Sequence, residues 1–133
     1  MIKELAEYIE DELGLIVGQD VIVGSLNETV TKDRAVAIRE NSGGEANFYL
    51  DDQDDRPVDM ICRGENQSEA RDLADLIFGH FHRRDSYELP LLTSGKNYYI
   101  IYSMATAVPV DSGSDDRGRQ YFTVTITFRV QRY

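Results

Sequence analysis

Residues 121–130 read Tyr121-Phe122-Thr123-Val124-Thr125-Ile126-Thr127-Phe128-Arg129-Val130, and this stretch decides the fold. Its even-numbered positions are all apolar, and its odd-numbered positions carry Tyr, Thr or Arg. A period of two is typical of a β-strand with one buried and one outward face. The stretch therefore predicts a half-buried strand whose even-numbered side chains enter the core.

The residues before this strand predict its partner. Residues 98–110 are dense in Tyr, Ile and Val, whereas Asp111–Gly118 is a polar run that predicts a loop. A strand, a loop and a second strand predict an antiparallel pair. The C-terminal third is therefore expected to form a long β-hairpin.

Two stretches have the apolar period of an amphipathic helix. The first predicts a helix from about Ile2 to Leu13, which ends at Gly14. The second predicts a helix from about Gln67 to Arg83, with Asn66 and Glu69 in the pattern of a capping box. The apolar stripe of this second helix comprises Ala70, Leu73, Ala74, Ile77, Phe78 and Phe81.

Shorter apolar segments predict further strands at 20–24, 34–39 and 58–62, and a short extended piece at 48–50. A turn is expected at Asn41-Ser42-Gly43-Gly44. The run Asp51–Pro57 predicts a loop, because like charges repel and Pro cannot join a central ladder. Residues 1–133 are therefore expected to form one α+β domain: a mainly antiparallel sheet packed against two helices, with a long C-terminal β-hairpin.

The composition excludes several classes of protein. The chain of 133 residues carries a formal net charge of −10, which disfavours tight binding to a phosphate backbone, although solubility alone also explains such acidity. No apolar run approaches the roughly 20 residues of a membrane span, and the N-terminus lacks a signal-peptide pattern. The single cysteine, Cys62, rules out an intrachain disulfide and fits a reducing compartment.

Candidate chemical sites are weak. His80 and His82 lie two residues apart on the predicted helix, a spacing that does not let them share a metal, and Cys62 lies in the apolar phase of its strand. The acidic runs 51–55 and 111–116 lack the Gly and Glu of an EF-hand loop, so solvated loops are favoured over weak sites for divalent ions. Phosphate-loop, nucleophile-elbow and zinc-protease motifs are absent. We expect no enzymatic activity, no cofactor and no metal.

Eight tyrosines, including Tyr98, Tyr99 and Tyr102, fit either sheet packing or a subunit interface, where Tyr is enriched. The candidate interface or loop residues are Asp51, Asp52, Asp54, Asp55, Tyr98, Tyr99, Asp115, Asp116 and Arg129.

The order of elements resembles the minor capsid and tail terminator proteins of long-tailed bacteriophages. The resemblance is carried by Val58-Asp59-Met60-Ile61-Cys62-Arg63-Gly64, by the helix that contains Ser68-Glu69-Ala70-Arg71 and Ala74, and by the closing hairpin with Tyr121-Phe122-Thr123-Val124-Thr125-Ile126. It implies a structural protein of the virion with no catalytic residues.

The resemblance further implies a ring of about six copies at the head-proximal end of the tail. Such a ring stops growth of the tail tube, joins it to the head connector, and lets DNA pass without specific binding. Its partners are other copies of the chain, the tail tube protein and the connector protein, and it assembles in the host cytoplasm. A head completion or other head–tail joining protein, or a stand-alone ligand-binding or regulatory α+β domain, remains the alternative.

Overall fold

The computed structural model describes residues 1–24, 34–40, 53–90 and 98–132. The helices are α1 (Ile2–Leu13) and α2 (Gln67–Phe81). The strands are β1 (Val21–Val23), β2 (Ala35–Glu40), β3 (Gln53–Gly64), β4 (Arg84–Glu88), β5 (Tyr98–Ala105), β6 (Val110–Ser114) and β7 (Gln120–Arg132). The predicted turn at 41–44 and the extended piece at 48–50 lie outside the described residues.

Both predicted helices form. The predicted C-terminal end of α1 and the predicted start of α2 are confirmed. α1 stops at Gly14, which adopts the left-handed conformation with φ of 70°. α2 begins at Asn66, whose side chain accepts a hydrogen bond from the backbone N–H of Glu69 at 2.9 Å. These two boundaries therefore coincide with local signals in the sequence. The other end of α2 lies at Phe81, two residues before the predicted Arg83, whose φ of 59° is not helical.

In the described residues the strands form one sheet in the order β1-β2-β3-β7-β5-β4, and β6 also pairs with β7. The pair β1–β2 is parallel and the other pairs are antiparallel. β7 pairs with β3 along one side, and with β5 and β6 in succession along the other. The fold is therefore α+β with a mostly antiparallel sheet, as predicted.

The helices cover one face of this sheet, and the predicted inward phase of β7 is confirmed. Phe122, Val124, Ile126, Phe128 and Val130 are all buried. The rings of Phe81 on α2 and Phe128 on β7 meet edge to face, with centroids 5.6 Å apart. The ring of Tyr8 on α1 also contacts Phe81, so both helices share one core. We call the opposite face of the sheet the far face.

The loop predicted at Asp51–Pro57 is wrong from residue 53 onward. Asp54, Asp55, Arg56 and Pro57 belong to β3 and pair with β7. The pairing of β3 with β2 ends at Val58, so Pro57 lies where β3 has a partner on the β7 side only, among the described residues. Pro is tolerated at such an edge position. Asp51 and Asp52 lie outside the described residues.

The hairpin also differs in detail from the prediction. β5 ends at Ala105, although one strand was expected over residues 98–110, and the interruption contains Pro109. The loop predicted at Asp111–Gly118 is shorter, because Val110–Ser114 forms β6. The short strand β4 was not predicted, since Tyr87 is the only one of its five side chains that is buried.

Gly64 closes the connection between β3 and α2. A Cβ atom at this position would collide with the backbone nitrogen of Ala70 and would lie 2.9 Å from the Cα atom of Ala70. The absence of a side chain therefore lets the end of β3 lie directly on the first turn of α2.

Replacing Gly64 with Ala should lower the free energy of unfolding by about 1–3 kcal/mol, because backbone atoms must move to admit the new methyl group. Gly79 provides the control, since it lies inside α2 and a Cβ atom added there would meet no other atom within 4 Å. There, Ala should raise the free energy of unfolding by up to about 1 kcal/mol through helix propensity. Urea denaturation measures both, and effects of the same sign would contradict this account of Gly64.

Candidate assembly surface

The outer side of the C-terminal hairpin is interrupted between β5 and β6. Residues 106–109 leave the ladder, although the N–H of Thr106 still donates to the carbonyl of Thr125 at 3.0 Å. Around this interruption the side chains of Met104, Val108 and Val110 are exposed by 43%, 69% and 56%. We call these three residues the knuckle. The hairpin therefore presents an apolar surface at the place where its outer strand is broken.

The tip of the hairpin is closed around one carboxylate. Asp115 accepts hydrogen bonds from the backbone N–H groups of Arg117 and Arg119 at 3.0 Å, from Arg119 Nε at 2.7 Å and from the Tyr121 hydroxyl at 2.9 Å. Burial alone would raise the pKa of the Asp115 carboxyl, but the hydrogen bonds from Tyr121, Arg119 and Arg117 outweigh it and lower that pKa to about 2. Asp116, the next residue, is exposed.

Arg129 and Asp55 join β7 to β3 on the far face. Arg129 Nε donates to Asp55 Oδ1 at 2.9 Å, and Arg129 Nη2 donates to Asp55 Oδ2 at 3.1 Å. The two side chains therefore form a bidentate salt bridge. The guanidinium also lies 5.4 Å from the centre of the Tyr102 ring. Earlier along β7, Thr125 Oγ1 donates to Asp59 Oδ1 at 2.7 Å. Asp55 is thus engaged in a cross-strand ion pair and does not occupy an ion-binding loop.

Tyr98 and Tyr99 do not form one surface, because they lie on opposite faces of β5. Tyr98 is buried on the helix side, with the guanidinium of Arg56 at 5.7 Å from its ring centre. Arg56 in turn pairs with Asp54 at 3.3 Å. Tyr99 is half-buried on the far face, opposite Gln131. Tyr99 is therefore the more exposed of the two tyrosines.

The histidines and the cysteine are packed as the sequence suggested. His80 Nε2 is hydrogen-bonded to the Tyr8 hydroxyl at 2.9 Å, and His82 Nδ1 accepts from the Ala105 N–H at 3.2 Å. Burial raises the pKa of the Cys62 thiol to about 12, so the nucleophilic thiolate is suppressed at neutral pH. Across the described ranges, no cluster of three or more His, Cys, Asp or Glu side chains is arranged to hold a metal ion.

The knuckle was missed by sequence reasoning, although the sequence holds a signal for it. Pro109 interrupts the apolar run 98–110, and a proline inside such a run indicates an edge or a break in the strand. Val108 lies inside this break and Val110 directly after it. Neither helix described by the structure is long and apolar enough to cross a membrane.

The sequence matches the family described as bacteriophage tail terminator protein across residues 8–132. The chain belongs to the bacteriophage tail terminator family. The match runs from α1 to the end of β7 and so includes every strand described above. No curated protein matches the sequence. Tail terminators are structural proteins of the phage tail, and the surfaces of this one therefore matter for assembly.

The carboxylate of Asp115 should stabilise the hairpin of this tail terminator in a pH-dependent way. Its folded-state pKa lies below the ordinary value of 3.8, so its contribution to stability is present above about pH 4 and is lost as the pH falls towards 2. Asp115→Asn removes the second carboxylate oxygen that accepts from Arg119 and Tyr121, and should lower the Tm at pH 7.

The difference in Tm between the wild type and Asp115→Asn should shrink steadily between pH 4 and pH 2, because the wild-type carboxyl is then protonated as well. Asp116→Asn is the matched control at the exposed neighbouring position and should leave the Tm nearly unchanged. Thermal unfolding followed by circular dichroism measures both variants. A pH-independent loss of Tm in Asp115→Asn would show that the charge of the carboxylate is not what stabilises the tip.

Proposed function

We propose that about six copies of this chain form a ring at the head-proximal end of a phage tail. The ring ends polymerisation of the tail tube and provides the joint to the head connector. Membership of the tail terminator family is the observation that carries this proposal. In this proposal residues 1–133 act as one domain, the partners are the tail tube protein and the connector protein, and assembly takes place in the host cytoplasm.

The charge of the chain supports a passive role towards DNA. At −10 per copy, a ring of about six copies carries roughly −60, which repels the phosphate backbone. DNA can then pass through the lumen without specific binding. The buried thiol of Cys62 and the hydrogen-bonded His80 and His82 also fit a protein that works by assembly and not by catalysis.

The direct test is the length of tail tubes assembled in vitro. Adding the chain to polymerising tube protein of its own phage should stop elongation and leave a cap at one end, seen by electron microscopy. The double variant Cys62→Ala/His82→Ala should cap tubes as well as the wild type, because no chemistry is required of these side chains. Tubes that elongate unaffected, while the chain binds empty heads, would instead identify a head completion protein.

Association should strengthen as salt rises, because like charge opposes ring formation. The Debye length falls from about 30 Å at 0.01 M to about 10 Å at 0.1 M ionic strength, so repulsion between copies is screened. We expect monomers at low salt and rings at higher salt, measured by sedimentation velocity. Association that weakens with salt would show that attractive ion pairs dominate the contact between copies.

A further inference from the structure

The C-terminal end of α2 is joined to two other elements through the only two histidines of the chain. His80 Nε2 is hydrogen-bonded to the hydroxyl of Tyr8 on α1 at 2.9 Å. His82 Nδ1 accepts a hydrogen bond from the backbone N–H of Ala105 on β5 at 3.2 Å. Both rings are half-buried, so protons from solvent can reach them.

The contact with Ala105 fixes the protonation state of His82. A backbone N–H group can only donate, so the Nδ1 atom that faces it carries no hydrogen. The ring is therefore neutral, with its hydrogen on Nε2. A proton added at Nδ1 would set two donors against each other and break the contact with the last residue of β5. The ring is held in this orientation by stacking on Phe78, with centroids 4.7 Å apart.

The surroundings of His80 favour the neutral ring as well. Burial raises the pKa of the Tyr8 hydroxyl, and the nearby guanidinium of Arg84 on β4 acts in the opposite direction. Because a guanidinium group only donates, it faces the Tyr8 oxygen, and the hydroxyl hydrogen is left to point at His80 Nε2. A proton on His80 would place two cations at one oxygen atom. Burial, followed by the charge of Arg84, accordingly lowers the pKa of His80, whereas Glu12 on α1 acts in the opposite direction.

The groups around the two rings offer little compensation for an added positive charge. Within the described residues, neither histidine forms an ion pair with a carboxylate. Glu12 is exposed, and its effect on His80 is smaller than that of Arg84. Tyr87 of β4 is also packed here, but its hydroxyl is engaged with a serine of β5 at 2.7 Å. The two residues that follow His82 are both arginines.

We propose that His80 and His82 form a proton-sensitive latch, which holds α1 and the end of β5 on the C-terminal end of α2. The latch is closed while both rings are neutral. When the rings take up protons, both contacts are lost, and α1 and the end of β5 loosen. Histidine is the side chain whose charge ordinarily changes between about pH 5 and 8, so the latch opens in mild acid. It is a property of the single chain and does not depend on ring formation.

The position of the ring hydrogens tests the closed latch directly. Long-range ¹H–¹⁵N NMR of the labelled wild type at about pH 8 shows which ring nitrogen carries a hydrogen, and the rings are assigned through their correlations to the backbone. His82 should carry its hydrogen on Nε2, and His80 should carry it on Nδ1. A hydrogen on Nδ1 of His82, or a charged ring at this pH, would overturn the inference.

Hydrogen exchange of the backbone amides, corrected for the intrinsic effect of pH, tests the opening. In the wild type the protection of the Ala105 N–H should fall about tenfold between about pH 8 and pH 5, and the amides of α1 should also lose protection. His82→Asn keeps an acceptor near the position of Nδ1 that does not titrate, so only the change at Ala105 should disappear. His80→Gln keeps an acceptor near the position of Nε2, so only the change in α1 should disappear. Each variant is thus the control for the other, and equal losses in the wild type and both variants would overturn the inference.

Thermal unfolding gives an independent readout. The folded-state pKa of His80 lies below the ordinary value of 6.5, so its contribution to stability is present above about pH 6.5 and is lost as the pH falls through the lower value. The Tm of the wild type should therefore fall more between about pH 7 and pH 5 than that of His80→Gln/His82→Asn. This window lies above the acid range in which Asp115 acts, so the two effects are separable. An equal fall of Tm in the wild type and the double variant would overturn the inference.

Discussion

The structure depends on the pairing of β7 with β3, held in register by alternating side chains. Each even-numbered apolar residue of β7 from Phe122 to Val130 lies on the helix side, and its paired residue on β3 lies on the same side. A slip of one residue would move five buried side chains to the far face and bring threonines into the core. Since burying each apolar side chain contributes about 1.5–3 kcal/mol, such a slip is excluded energetically.

This constraint determines what the rest of the hairpin can do. β7 is 13 residues long, and no single partner covers its outer side, so β5 and β6 pair with it in turn. Each of these strands also has an irregular register, between Ile100 and Tyr102 in β5 and between Asp111 and Gly113 in β6. The break between them needs residues that neither continue the ladder nor enter the core. The knuckle is the consequence, and β7 continues without a break on its inner side.

The sequence predicted the elements whose signals are local and periodic, but not the contacts that join distant residues. α1, α2 and β7 follow from the spacing of apolar residues, and the helix ends at Gly14 and Asn66 follow from backbone geometry. The start of β3 was missed because Asp54 and Asp55 look like loop residues, whereas Asp55 is neutralised by Arg129, 74 residues away. Acidic runs and tyrosines were the first candidates for an interface. Within the chain, however, Tyr98 is buried, and Asp54 and Asp115 form salt bridges with arginines. The knuckle escaped prediction because an apolar run predicts one continuous strand, and within the run 98–110 only Pro109 indicates the break beside which Val108 and Val110 are exposed.

Charge and apolar contact act over different distances, and this separation explains how an acidic chain can still assemble. Repulsion between copies is spread over the whole surface and is screened beyond about 8–10 Å at physiological salt. Apolar burial acts only at contact and is proportional to the area removed from water. Residues 98–110 contain no Asp, Glu, Lys, Arg or His, so burial of the exposed Met104, Val108 and Val110 would remove apolar area from water where this segment itself adds no charge.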